Sequence, residues 1–228
     1  MNDFIEIYDN ALSKELCKEI IIQAEKARLY KNPRHKSIQD DYTVMIHHYL
    51  KENTYIDLMN IIHKAYIDYK EKYWILDKTA SLTPPCIKYH LVKPGGGYHV
   101  YHCENSGFLS KERVLVYHIC LNTCDDEGEL DFLYYKKKLF PKIGRLIVFP
   151  ASFTHVHRGN PMKTKDKHYV TGWYEYASTG KIGENIKHSL LRTVDMMHTL
   201  DCLVMLWLMI VSLKLKRVQQ KDKLKMHL

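Results

Sequence analysis

The hydrophobic pattern predicts a mainly β fold with flanking helices, built as a jelly roll, and two observations carry that expectation. From Pro84 onward, short runs rich in Val, Ile, Tyr and Phe follow one another at regular spacing, separated by turn residues, the pattern of an all-β sandwich or barrel. Before Pro84 the apolar residues recur at helical spacing instead, which places the helices outside the β core.

In chain order, Ser13 is the N-cap of a first helix whose stripe is Leu16, Ile20, Ala24 and Ala27 and which ends before Lys31-Asn32-Pro33. A second helix is expected from about Thr54 to Tyr73, with Leu58, Ile62, Ala65 and Tyr69 facing the core. The strand-like runs are Cys86–Val92, Tyr98–Glu104, Arg113–Leu121, Glu129–Leu133, Arg145–Pro150 and His168–Tyr176. Turn signals divide them at Pro94-Gly95-Gly96-Gly97, Asp125-Asp126-Glu127-Gly128 and Lys142-Ile143-Gly144. The Gly95 to Gly97 run lacks the Lys-Ser/Thr ending of a phosphate loop and precedes a strand, so it reads as a flexible turn. Lys136-Lys137-Lys138 reads as a solvated strand edge, and His47, His48 and His63 as ordinary surface or helix histidines. The expected organisation is a helical support over 1–83, a β core over 84–178 and a helical, basic tail over 179–228.

The net charge of +8 is concentrated in that tail: the last fifteen residues carry +5, leaving +3 for the other 213. That is a weak basis for a nucleic-acid groove. Cys202–Leu213 is a twelve-residue apolar run, short of the roughly 18 to 20 residues a spanning helix needs. It reads as a buried or partner-facing helix, with membrane contact by the 202–225 segment as the lesser alternative. Met1–Tyr8 carries Asp3 and Glu6 and no apolar core of signal-peptide length. Six cysteines without CxxC spacing argue against a zinc knuckle. The expected location is cytoplasmic, in the host cytoplasm for a viral protein.

Chemistry enters at His102-Cys103-Glu104. On an extended strand His102 and Glu104 point to one face with Cys103 opposed. Taken alone the pair also fits a strand-edge ion pair. With a later imidazole it becomes a set of two histidines and a carboxylate, which binds divalent iron facially and leaves positions open for a co-substrate and oxygen. His155-Val156-His157 offers that imidazole twice, and a period of two cannot choose between them.

The ordered motifs Lys93-Pro94-Gly95-Gly96-Gly97-Tyr98-His99-Val100-Tyr101-His102-Cys103-Glu104, Gly128-Glu129-Leu130-Asp131-Phe132, Pro141-Lys142-Ile143-Gly144-Arg145-Leu146-Ile147-Val148-Phe149-Pro150-Ala151, His157-Arg158-Gly159-Asn160-Pro161 and Lys167 before Thr171-Gly172-Trp173-Tyr174 resemble the 2-oxoglutarate and Fe(II)-dependent oxygenase superfamily. The likeness is to its prolyl 4-hydroxylase-like branch, particularly the compact viral and phage members, and covers roughly residues 84 to 176. It implies a double-stranded β-helix core and a hydroxylase acting on an unactivated C–H, in a protein or peptide substrate whose target is a peptidyl proline. The implied cofactor is Fe(II), with 2-oxoglutarate and O2 as co-substrates and ascorbate as an accompanying reductant.

The same resemblance implies the site residues. The family places a proline four residues and a basic residue ten residues after the distal ligand. Pro161 and Lys167 hold those offsets from His157, so His102, Glu104 and His157 are the expected ligands, with His155 a neighbour or substrate contact. Lys167 is the expected cation for the remote carboxylate of 2-oxoglutarate, with Thr171, Tyr117 and Tyr89 as hydroxyl donors. Most relatives carry aspartate where Glu104 stands; the extra methylene moves the carboxylate by about 1.5 Å. Substrate selection is expected from the Lys31–Tyr49 segment and the Ser106–Glu112 loop. Two rival readings stay open: the same chemistry on a nucleobase or small metabolite, and a non-catalytic jelly-roll module with a metal site.

Overall fold

A computed structural model describes residues 2–79, 81–83, 86–125 and 127–176. The chain opens with strand β1 (Glu6–Tyr8) and helix α1 (Lys14–Glu25), followed by three short strands, β2 (Tyr30–Lys31), β3 (Gln39–Asp40) and β4 (Tyr42–Met45). Helix α2 (Glu52–Lys72) precedes β5 (Leu82–Thr83), β6 (Lys88–Val92), β7 (Gly97–His102) and β8 (Arg113–Cys120). Then come β9 (Leu130–Phe132), β10 (Lys137–Leu139), β11 (Leu146–Pro150), β12 (His157–Gly159) and β13 (Lys167–Tyr176).

These strands form two antiparallel sheets. The larger has eight strands in the order β1-β11-β8-β13-β6-β4-β2, with β5 also pairing β13; the smaller has five, β10-β9-β12-β7-β3. Neither sheet closes on itself. This corrects the expected double-stranded β-helix or jelly roll: the strands pair into two open sheets and not into a closed barrel. The reason lies in the pairing. Strands β1, β2 and β10 end their rows without a further partner in the sheet order, and hydrophobic periodicity carries no information on which strand edges meet.

The two helices form where the apolar stripes place them. The hydroxyl of Ser13 accepts from the Leu16 N–H at 3.0 Å and caps α1. Helix α1 buries Cys17, Ile20 and Ala24, and α2 buries Leu58, Ile62, Ala65, Tyr66 and Tyr69. Both pack on one face of the large sheet, in a core shared with Tyr89, Tyr117, Ile119, Leu146, Val148, Val170 and Tyr174. Tyr174 stacks on Tyr66 with ring centroids 4.3 Å apart and donates its hydroxyl hydrogen to the Ile62 carbonyl at 3.1 Å. Truncating a fully buried side chain here, such as Leu58→Ala, costs about 2–5 kcal/mol.

The opposite face of the large sheet meets the small sheet. Between them lie Val116, Leu130, Phe132, Ile147, Phe149 and Trp173. Alternation along β13 therefore sorts its residues: Val170 and Tyr174 face the helices, while Trp173 faces the space between the sheets. Lys137–Leu139 lies at the edge of the small sheet, where Lys137 Nζ pairs with Asp3 at 2.8 Å.

The Gly95–Gly97 turn is held by backbone contacts. Gly95 has φ +84°, its N–H donates to Met162 O at 2.8 Å, and a Cβ on Gly96 would fall 2.5 Å from the Asp40 carbonyl oxygen. Close backbone approach and a positive φ are what these glycines supply. Among the described residues no helix is long and apolar enough to cross a membrane. The expected helical tail over 179–228, with its 202–225 segment, lies outside the described residues.

Candidate active site

Strand β7 ends at His102, and antiparallel pairing sets His157 of β12 directly opposite it. The two rings stand 4.6 Å apart. Glu104 is not on the strand, as alternation predicts, but in the turn that follows, its N–H donating to Ala151 O at 2.9 Å. From there Oε1 reaches back between the rings, 3.3 Å from His102 Nε2 and 3.5 Å from His157 Nε2. One donor atom from each residue lies within 4.8 Å of the other two, the one such group among the described residues.

The remaining polar atoms are committed elsewhere. His102 Nδ1 faces the Val100 carbonyl at 3.1 Å and His157 Nδ1 the His155 carbonyl at 2.9 Å. A carbonyl accepts only from an N–H, so each Nδ1 carries a proton, and each Nε2, on the Glu104 side, is the atom that gives up its proton when the ring takes a metal. Glu104 Oε2 accepts from Trp173 Nε1 at 3.0 Å and Arg113 Nη1 at 3.2 Å, and the Arg113 guanidinium lies 3.5 Å over the Trp173 ring. Burial would raise the Glu104 carboxyl, but the hydrogen bonds and charges of His102 and His157 outweigh it and hold it well below the usual range. Two neutral imidazoles and one ionised carboxylate oxygen are the donor set that suits Fe(II).

His155 is placed apart from this group. It closes a helical turn, Phe153–His155, with Nε2 on the Asp3 carbonyl at 2.8 Å and Nδ1 on Thr154 Oγ1 at 2.9 Å. Its Nε2 anchors the N-terminal segment, while Nδ1 is taken by the adjacent Thr154.

Lys167 begins β13 on the face toward the small sheet and is 4% exposed. Its Nζ donates to Gly128 O at 2.6 Å, and no carboxylate pairs with it among the described residues. Burial lowers its pKa, as it does for an ammonium without a counter-ion. Thr171 is buried on the same face, its hydroxyl donating to Tyr117 O at 3.1 Å.

Tyr117 and Tyr89 are not brought to this face. Both belong to the helix-side core; the Tyr117 hydroxyl donates to Cys86 O at 2.7 Å and the Tyr89 hydroxyl meets His168 Nδ1 at 2.6 Å. Their neighbours His118 and His90 take the inter-sheet face instead. These two histidines, with Tyr169, were missed in the sequence, as were Arg113, Trp173 and Tyr98. The signal available was period two: Trp173 and Tyr169 must share a face with Lys167 and Thr171. Tyr98 stacks on His102 at 3.6 Å and is held by Arg34, which also donates to Gln39 at 3.0 Å. Gln39 and His90 both bond Asp41 Oδ2, at 3.0 and 2.7 Å. No spacing rule connects Asp41 to His90, 49 positions away.

Residues 87–175 match the family model described as the 2OG-Fe(II) oxygenase superfamily. No curated protein matches the chain. Among solved structures, it is similar to a viral collagen prolyl hydroxylase from Paramecium Bursaria Chlorella virus-1, in a 2OG complex (17% identity, 76% of this chain and 97% of that one, TM-score 0.60). It is also similar to a prolyl-4-hydroxylase from Pseudomonas putida (17% identity, 77% and 94%, TM-score 0.63). A third is a prolyl hydroxylase from Trichoplax adhaerens in complex with a hypoxia inducible factor oxygen degradation domain peptide fragment (16% identity, 77% and 84%, TM-score 0.59). At such identities the likeness is one of fold.

Proposed function

We propose that the chain is a 2-oxoglutarate- and Fe(II)-dependent oxygenase, the superfamily whose model matches residues 87–175, and that it hydroxylates a side chain of a peptide substrate, a peptidyl proline first among them. The observation that carries this reading is the convergence of His102 Nε2, His157 Nε2 and Glu104 Oε1, in a fold that also buries Lys167 with no carboxylate partner among the described residues. The prolyl target and the peptide are supported by the relatives of like fold, one of them a peptide complex.

His102, Glu104 and His157 would hold Fe(II). Bound there with 2-oxoglutarate and O2, it supplies the oxidation that yields succinate, carbon dioxide and a hydroxylated product. The protein's part is to hold and orient. The Val100 and His155 carbonyls keep both imidazoles in the tautomer that offers Nε2. Trp173 and Arg113 occupy one oxygen of Glu104, so that the other points to the centre. Lys167 would neutralise the remote carboxylate of 2-oxoglutarate, which an unpaired buried ammonium favours strongly, while Thr171 lies beyond it on the same face. Phe132 and Phe149 pack against His157 and exclude water from that side. A cytoplasmic location belongs to the same proposal, supported by the free thiols of Cys17, Cys103, Cys120 and Cys124.

The test is anaerobic addition of Fe(II) and then 2-oxoglutarate, watching for the visible charge-transfer band of a chelated 2-oxo acid, with Lys167→Ala alongside. A band that weakens at least tenfold in apparent affinity in the variant is expected. Aerobic assay with ascorbate and proline-containing peptides should then release succinate in proportion to hydroxylated peptide. A folded, iron-loaded protein with no band would overturn the reading, and succinate coupled only to a nucleobase or metabolite would move the substrate.

A further inference from the structure

Lys167, Tyr169 and Thr171 are successive residues on the inter-sheet face of β13, and Trp173, next on that face, touches Glu104. Two residues of strand advance about 6.6–6.8 Å, so the Tyr169 side chain stands between the lysine end of this face and the triad end. Its ring is clasped on both sides. His90 of β6 stacks on it at 4.4 Å and 5°, and His118 of β8 at 4.6 Å and 28°. Lys167 Nζ lies 5.1 Å from its centroid.

This clasp has two physical consequences. A tyrosine in an open groove can leave its place by rotating about χ1, but one packed between two rings from neighbouring strands cannot without breaking both stacks. Second, the Tyr169 hydroxyl has no hydrogen-bond partner among the described residues, although Tyr89, Tyr117 and Tyr174 each have one. Burial pushes its pKa well above the ordinary tyrosine value, so it stays a donor. Burial also lowers both flanking histidines, which leaves Lys167 as the cation beside the ring.

Resting on the reading of Lys167 as the partner of a remote carboxylate, we propose that Tyr169 sets the length of the 2-oxo diacid this site accepts. Its immobilised ring is a fixed side wall of the path from Lys167 to the triad, and its hydroxyl is a second donor to the carboxylate that Lys167 neutralises. A diacid one methylene longer than 2-oxoglutarate would have to displace the ring to reach both ends.

The experiment is anaerobic equilibrium binding to the Fe(II)-loaded full chain, by charge-transfer band and by calorimetry. 2-Oxoglutarate is compared with 2-oxoadipate, which has one more methylene, in wild type, Tyr169→Phe and Tyr169→Ala. Wild type should prefer 2-oxoglutarate. Tyr169→Phe keeps the stack, so it should retain that preference while weakening 2-oxoglutarate by about tenfold or more, the loss of a hydrogen bond to a charged group. Tyr169→Ala should reduce the preference about tenfold or more by admitting 2-oxoadipate. If the alanine variant fails to fold, Tyr169→Leu carries the length comparison.

An unchanged preference in a folded alanine or leucine variant overturns the wall, and unchanged binding in Tyr169→Phe overturns the hydroxyl. Wild type that binds 2-oxoglutarate with either of these results leaves the proposed function standing. Wild type that binds neither acid sinks both.

Discussion

Trp173 donates its indole N–H to Glu104 Oε2 at 3.0 Å, a bond from an inward-facing position of the longest strand to a carboxylate lying in the turn after β7 of the other sheet. It bears on the proposed role of Glu104 as an iron ligand. The glutamate side chain starts from the turn beyond β7, and Trp173 with Arg113 fixes one oxygen so that the other meets both imidazoles. Trp173→Phe keeps the packing and removes the donor. Fe(II) affinity, measured by titration without co-substrate, should fall about tenfold to a hundredfold, with the unfolding midpoint little changed. Unaltered affinity would show that Arg113 holds the carboxylate alone.

The two neighbouring histidines should separate cleanly. His157→Ala should abolish tight Fe(II) binding. His155→Ala should retain it, yet lose about 1–3 kcal/mol of stability, because the Asp3 carbonyl at 2.8 Å loses its donor. Metal titration and denaturant unfolding of both variants check this, and the reverse pattern would exchange their roles.

Tyr117 faces the helices. Tyr117→Phe should therefore leave 2-oxoglutarate affinity within about twofold of wild type, an amount small against the loss of a charged hydrogen bond. Gly172, directly across from Tyr117 in the register, is the more sensitive position. A Cβ there would fall 2.0 Å from the Tyr117 hydroxyl and 2.6 Å from Cys86 O, so Gly172→Ala should cost about 1–3 kcal/mol through overpacking. Thermal unfolding measures it, and a neutral result would mean that β8 and β13 can separate at this point.

Acid should destabilise the metal-free protein through its histidines. Burial lowers the pKa of His47, His90, His118, His155 and His168 below the ordinary value of 6.5. In the unfolded chain these groups take up protons near 6.5 while in the fold they do not, so the unfolded state binds more protons. Stability is full above about pH 6.5 and is lost as the pH falls toward the folded values. Asp41, whose folded pKa is lowered because His90 and Gln39 outweigh its burial, adds a further loss below its ordinary 3.8. The unfolding midpoint at about pH 5.5 should lie below that at about pH 7.5; a flat profile would mean these rings open to solvent.

Much of the site is legible because strand geometry has a period of two. Once β13 is recognised, Lys167 and Thr171 must share a face, and the ordered motifs around His102, Glu104 and His157 mark the three residues that meet. Helices α1 and α2 are equally plain, since an amphipathic stripe, capped by Ser13 in α1, needs no partner to be read. Other features leave no local trace. Strand β8 is buried on both faces over its last six residues, so no polar and apolar alternation marks which face meets the helices. The side of the sheet taken by Tyr117 or His118 is therefore invisible in the chain. Strands β2, β3 and β12 are two or three residues long, too short for a period to show. The pairing of Asp41 with His90, the clasp around Tyr169 and the division of the strands into two open sheets depend on which edges meet across long stretches of chain. That choice rests on packing between distant segments, where loop closure and the fit of two surfaces act together. Residue order thus carries the chemistry of the three converging donors and the lysine behind them, while the layering of helices on one side and a second sheet on the other selects which aromatic rings surround them.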